Sequence, residues 1–212
     1  MTTHDEVEQK ILDAAVRVIA DRPWPQVAVA EIAREASVSL ADVYRHYRSK
    51  QAVLCGLHRR VDLEMLAAPV DDGNAKDRLF DLLMRRFDAL APLKPAFTTG
   101  LTELRRGRLA SLEAGLLGAI NLHRSMIWVL EAAGFEGSCV VNDIRAKILG
   151  VAYLSAFRIW LDDDSPDLTK TMAALDKALA RAVGLLRLRE RTGRDDEPLS
   201  DPGSSAQDAP AN

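Results

Sequence analysis

Apolar residues recur along this chain at intervals of three and four, not two. Between residues 5 and 21, Val7, Ile11, Leu12, Ala15, Val18 and Ile19 make a one-sided stripe, the mark of an amphipathic helix. Arg22-Pro23-Trp24-Pro25 must be a connection, because proline breaks helix interiors. After it, Val29, Ile32, Ala33 and Ala36 predict a short second helix, and a break at Ser37-Val38-Ser39 precedes a third from Leu40 to Tyr47. Ser39 suits an N-cap, since its hydroxyl can accept from an unpaired amide of the next turn. Ser49 does the same for a fourth helix, whose Val53, Leu54, Leu57, Val61 and Met65 share a face until Pro69.

The pattern continues beyond the Asp71-Asp72-Gly73-Asn74 turn. With Asn74 as a cap, Leu79, Leu82, Leu83, Arg86, Phe87 and Leu90 mark a fifth helix, which ends before Pro92 and Pro95. A shorter helix to about residue 106, a long one over about 108–133 and another over 138–161 follow, divided by Gly134 and Gly137. Ser165-Pro166 reads as a helix start, with a capping serine and a proline where a missing amide costs little. From there Leu168, Met172, Leu175, Leu179, Val183 and Leu186 keep helical spacing. With no sustained two-residue alternation, the expectation is an all-α chain of about nine helices: a three-helix unit over 1–50, a helical body over 51–190, and an acidic, Pro-rich disordered tail over 191–212.

Composition narrows the classes. The 212 residues are 48% hydrophobic and 28% charged, enough to bury a core and too apolar for a disordered whole. Cys55 and Cys139 are too few for a disulfide framework or a thiolate zinc site. No secretory signal is visible, and the uncharged run 148–157 reaches ten residues, about half a membrane span, so a soluble cytoplasmic protein is expected. Net charge is −3, yet residues 40–60 set Arg45, Arg48, Lys50, Arg59 and Arg60 against Asp42 alone. That local excess suits a polyanion, although such clusters are often only solvated faces.

Two short helices across a tight turn can be ordinary bundle architecture or a DNA-binding helix-turn-helix. The residues favour the second. Ala33 stands where two helices approach closely, and Val38 where the turn needs an apolar plug. In order and spacing, Ile11-Leu12-Asp13-Ala14-Ala15, Glu31-Ile32-Ala33, Val38-Ser39, Val43-Tyr44-Arg45-His46-Tyr47 and Ser49-Lys50-Gln51-Ala52-Val53-Leu54 resemble the tetracycline-repressor (TetR) family of transcription factors. The resemblance implies that the third helix enters the major groove and that Tyr44 and Lys50 contact phosphates. Physical reasoning supports those roles. The first turns of a recognition helix reach base edges, which puts Ser39, Ala41, Asp42 and Arg45 nearest to readout. Tyr44 and Lys50 can donate to phosphate oxygens, which positions the helix without conveying sequence. Val43 and Tyr47 are expected to pack against the first helix, while His46 suits a phosphate contact and a packed imidazole equally.

Four positions depart from the family pattern. Family members often carry Ser or Thr at Ala28, Gly at Ser37, Lys at Leu40 and Thr at Asp42. Ala28 removes a hydroxyl that would cap the second helix, Ser37 must take a turn conformation that glycine adopts more cheaply, and Asp42 repels phosphate unless a cytosine amine donates to it. They weaken DNA binding or point to an unusual operator.

One short helix makes few base contacts, so such modules act in pairs on two half-sites. The last two long helices are the expected surface for a homodimer, with Ile148, Ala152, Met172, Leu175 and Leu179 at the interface and alanines allowing close approach; alanine is also simply a good helix former. Between them and the DNA end, Phe87, Phe97, Leu104, Ile120, Met126 and Tyr153 could line a site for an apolar or amphipathic effector, or be ordinary core. The implied function is a ligand-responsive repressor that binds double-stranded operator DNA. The alternative rests on a second resemblance: Trp160 to Asp176 is similar to the C-terminal segment of lipid-binding accessory proteins of ubiquinone biosynthesis, which share the TetR-like fold without acting as repressors. Arg45, Arg48 and Lys50 favour the regulator. His4, His46, His58 and His123 are scattered, and no metal motif or phosphate loop is present, so no enzyme, cofactor or metal site is expected. Asp162-Asp163-Asp164 reads as a solvated connection.

Overall fold

A computed structural model describes residues 3–70, 72–105 and 110–194, and all regular structure among them is helical. In chain order the helices are α1 (Thr3–Asp21), α2 (Val29–Glu35), α3 (Leu40–His46), α4 (Lys50–Leu66), α5 (Ala75–Leu90), α6 (Lys94–Arg105), α7 (Ala110–Ala132), α8 (Cys139–Leu161) and α9 (Thr169–Arg194). Single 3-10 turns at Trp24–Gln26 and Ala91–Leu93 carry Pro25 and Pro92, as the proline spacing requires.

Side chains set four of the helix starts. Ser39 Oγ accepts from the Asp42 amide at 3.0 Å, Ser49 Oγ from the Ala52 amide at 3.0 Å, and Asn74 Oδ1 from the amides of Lys76 and Asp77 at 2.9 and 3.2 Å. Ser138 caps α8 in the same way. Each satisfies amides that the first turn leaves unpaired. At Ala28 this device is half complete. The Glu31 carboxylate accepts from the Ala28 amide at 2.9 Å, but no hydroxyl answers from the cap position.

The α2–α3 turn puts Ser37 at φ +54°, in the left-handed region where a β-carbon is strained. Ser37→Gly is therefore expected to stabilise the protein by about 1 kcal/mol. A urea midpoint that does not rise would show that the serine hydroxyl offsets the strain.

One apolar core runs from α1 to α9. Ile11, Leu12 and Ala15 of α1 meet Ile32 and Ala33 of α2 and Val43 of α3, all fully or nearly buried. Helix α4 carries the core onward through Val53, Leu57, Val61 and Met65 and packs on α5 and α7. Helices α7, α8 and α9 close the body, with α8 against both neighbours.

Two expectations fail at the start of α9. The helix begins at Thr169, not at Ser165-Pro166, which lie in a turn. The reason is Asp163, which is buried rather than solvated. Its carboxylate accepts from Ser165 N (3.2 Å), Ser165 Oγ (2.5 Å), Thr171 N (2.9 Å) and Thr171 Oγ1 (2.7 Å). Ser165 is thus spent on Asp163, and Leu168 turns at φ +51° to bring Thr171 back to the same carboxylate. The bonds from Ser165, then those from Thr171, hold the Asp163 carboxyl well below the usual range despite burial. At the other end α9 runs on to Arg194, so the first residues of the expected tail are helical. Residues 195–212 lie outside the described residues.

Candidate nucleic-acid interface

Helix α3 is held from behind and open in front. Val43 is fully buried against the α1–α2 pair, and Tyr47 is 9% exposed, its hydroxyl donating to Glu8 Oε1 of α1 at 3.0 Å. Burial, then the neighbouring Glu8, pushes the Tyr47 phenol above its ordinary range, so it stays protonated as that donor. The Tyr47 ring also lies on Gly56 of α4, where a β-carbon would come within 2.7 Å of it. The glycine is needed for that close approach.

On the outward side, Leu40 is 55% and Tyr44 64% exposed, and Ala41, Arg45 and Arg48 are exposed beside them. These form the surface a duplex would meet.

The polar side chains at the head of α3 are already engaged with one another. Asp42 Oδ2 accepts from Ser39 N at 3.2 Å and Ser39 Oγ at 2.5 Å, while its other oxygen pairs with Arg45. The bonds from Ser39, ahead of the Arg45 charge, lower the Asp42 pKa. The carboxylate expected to accept from a cytosine amine is therefore part of the helix cap, and its pairing with Arg45 reduces the repulsion a phosphate would feel. With Arg45 in place, Ser39 and Asp42 are engaged in the cap rather than presented for base readout. Arg45, with a side chain 69% exposed, can rotate away to a guanine edge or a phosphate at small cost. His46 is half-buried, with Nδ1 2.8 Å from the Asp42 carbonyl oxygen one turn back. This is the packed alternative for that residue.

Lys50 departs from expectation. Its ammonium donates to the Pro25 carbonyl at 3.1 Å and sits 5.1 Å from the Trp24 ring centre, tying the start of α4 to the turn after α1. The Lys50 side chain is half-buried there.

The expected effector residues are only partly brought together. Phe87 of α5 and Tyr153 of α8 are buried and stacked at 4.8 Å, and Phe157 and Trp160 extend the ring cluster, with Phe97 edge-on to Phe157 at 5.2 Å. Met126 is fully buried in the same core. Ile120 is 44% exposed and does not belong to that cluster, and the Leu104 side chain lies outside the described residues. The helical pattern put Arg86 on the inward face of α5 but did not reveal its partners beside these rings. Arg86, 1% exposed, pairs with Asp62 of α4, whose second oxygen accepts from Ser125 Oγ of α7 at 2.9 Å. A separate surface groove of about 370 Å³ lies between α5 and the turn before α9, lined in part by Phe80, Met84, Leu168 and Met172.

The expected dimer residues need correction. Leu175 and Leu179 are fully buried within the protomer and Ala152 is 8% exposed, so a second chain cannot reach them. Met172 faces the α5 groove, and Ile148 is half-buried. Helix α9 packs this apolar stripe onto α5 and α8. The outward apolar residues are instead Val151 (70% exposed) and Leu154 (46%) on α8 and Leu185 (55%) on α9, beside the exposed Ala173, Ala180 and Gly184.

Among the described residues no group of three or more His, Cys, Asp or Glu side chains is placed to hold a metal, and no helix is long and apolar enough to cross a membrane.

Comparison with known proteins accounts for this arrangement. The family model for bacterial regulatory proteins of the tetR family matches residues 11–55, the stretch from α1 into α4. A Mycobacterium tuberculosis protein named for the transcriptional regulation of mycofactocin biosynthesis is 26% identical over 188 residues, 85% of this chain and 91% of that protein. The Bacillus subtilis fatty acid metabolism regulator protein is 28% identical over 104 residues, 47% of this chain and 54% of its own length, so this chain spans about half of that relative. The crystal structure of a TetR transcriptional regulator from Nitrosomonas europaea superposes with a TM-score of 0.63 at 26% identity, covering 83% of this chain and 97% of that one. An all-helical body, a helix-turn-helix with an open third helix, and regulators among its relatives agree: residues 11–55 match the tetR family of bacterial regulatory proteins, and the chain as a whole is similar to TetR-type DNA-binding transcriptional regulators.

Proposed function

We propose that this regulator is a ligand-responsive repressor that acts as a homodimer on double-stranded operator DNA. Residues 1–50 are its reading head, and 51–190 its effector-binding and dimerising body. The observation that carries the reading is the two-sidedness of α3, anchored by Val43 and Tyr47 with Leu40, Ala41, Tyr44 and Arg45 turned outward. Ala41 and Arg45 face base edges, Tyr44 and Lys50 take phosphates, and His46 keeps the helix packed. Ser39 and Asp42 act through the cap that aims Arg45. Lys50 leaves Pro25 for a phosphate oxygen, or donates from where it stands.

A second copy fits the outward faces of α8 and α9, where Val151, Leu154 and Leu185 expose apolar surface beside small residues that permit close helix approach. The effector, apolar or amphipathic, binds among the rings of Phe87, Phe97 and Tyr153 and next to Met126. Helix α4 transmits its presence. One end of α4 carries Gly56 under Tyr47, and further along Asp62 is clasped by Arg86 and Ser125. A ligand that favours one tilt of α4 changes the separation of the two recognition helices and so the half-site spacing they match.

The test is a gel shift on the DNA upstream of the protein's own coding sequence, with salt titration. Tyr44→Phe and Lys50→Ala are each expected to weaken binding on all sequences, Lys50→Ala also reducing the salt slope by roughly one. Equal weak binding of the native protein to every duplex, or variants indistinguishable from it, would count against the assignment.

A further inference from the structure

The ring cluster of α5 and α8 surrounds polar atoms that the protein does not satisfy. Tyr153 is 2% and Arg86 1% exposed, and the Arg86 guanidinium carbon lies 5.8 Å from the Tyr153 ring centre. Among the described residues Arg86 Nε has no hydrogen-bond partner, nor has Nδ1 of His58 one turn before Asp62 on α4, and the Tyr153 hydroxyl has only the Arg86 guanidinium beside it, which leaves its O–H without an acceptor. Buried polar groups are nearly always paired, and donors left without an acceptor in one neighbourhood point to a group that the chain does not itself supply.

The charge balance says what kind. Arg86 is already neutralised by Asp62, which Ser125 also holds. Burial, with Arg86 beside it, pushes His58 down to about 4, so the imidazole is neutral. Burial pushes the Tyr153 phenol up to about 12, so it keeps its proton and can donate. A carboxylate or ammonium brought here would stand as an uncompensated buried charge, which is costly. A neutral oxygen costs little and can accept from both the Arg86 Nε–H and the Tyr153 O–H. Around it Phe87, Phe157 and Trp160 supply apolar and stacking surface.

Resting on the effector reading above, we infer that the ligand of this core is a neutral, mainly apolar molecule whose single carbonyl oxygen is held by Arg86 and Tyr153. The clasp on α4 then explains how it signals. An oxygen accepting from Arg86 Nε shifts the guanidinium, and with it the Asp62 that the guanidinium holds.

Four probes of matched apolar length test this on the full chain at neutral pH: 2-octanone, octanoate, octylammonium and octane. Binding is read by the melting-temperature shift and by release of upstream DNA. The expected result is that 2-octanone binds about tenfold tighter than octane and that the two ions bind no better than octane. Tyr153→Phe, which keeps the ring, should lose roughly fivefold for the ketone and nothing for octane. Tighter binding of octanoate or octylammonium with release of DNA would overturn the carbonyl assignment and leave the effector reading standing. So would a Tyr153→Phe variant that binds the ketone unchanged. Failure of all four to bind would overturn both.

Discussion

Arg86→Met is expected to cost the fold about 3–5 kcal/mol, because it strands the Asp62 carboxylate without its cation. The Arg86 side chain is 2% exposed and that of Asp62 19%, so water replaces little of what the guanidinium supplies. The substitution also breaks the contact between α4 and α5 at the point where Ser125 of α7 joins it. A buried pair is worth far less than the damage done by removing half of it, since desolvation of both ions offsets most of their attraction. The double variant Asp62→Leu with Arg86→Met should therefore recover most of the loss. Urea denaturation of both single variants and the double closes the cycle. A loss below about 1 kcal/mol for Arg86→Met would mean that the pair is as weak as a surface one.

Asp163→Ala is expected to lower the melting temperature on the order of 10 °C, because four donors lose the acceptor they share at once. The turn before α9 then has nothing to hold Leu168 in its left-handed conformation or to fix Thr171 at the first turn of the helix. The pH dependence has a definite sign. The carboxyl pKa is depressed in the folded protein, so its contribution is fully present above the unfolded value of about 4. It is lost as pH falls from there toward the folded value. The native protein should lose melting temperature faster than Asp163→Ala on acidification below about pH 4. Parallel acid profiles for the two proteins would contradict the assigned role.

Much of this molecule is legible locally. Ser39, Ser49 and Asn74 cap where a short polar residue precedes an apolar period, and Ser37 sits where glycine would turn more easily; such features depend on a few neighbouring residues. The register that placed Arg86 among Leu82, Leu83 and Phe87 also put it on the inward face of α5 before any partner was visible. What periodicity does not contain is the identity of the neighbour. The stripe of Leu175 and Leu179 is apolar because it is buried, and the spacing is the same whether α5 or a second chain covers it. Asp163 shows the same limit from the polar side. Three adjacent carboxylates look solvated until the fold turns one of them toward Ser165 and Thr171. At the DNA end, sequence placed Tyr44 and Arg45 on the open face, but it could not show that Asp42 and Ser39 are occupied with each other. That depends on rotamers inside one turn.

On the proposed function, α3 reads bases through its open face, with Arg45 the main reader. The most direct test is the ratio of affinities for the upstream operator and for a scrambled duplex of equal length, at one salt concentration, in the native protein and in Arg45→Ala. A native ratio of about a thousand or more is expected, falling roughly 10- to 100-fold in Arg45→Ala, mainly through the operator. A native ratio near one, or a ratio that Arg45→Ala leaves intact, would contradict it.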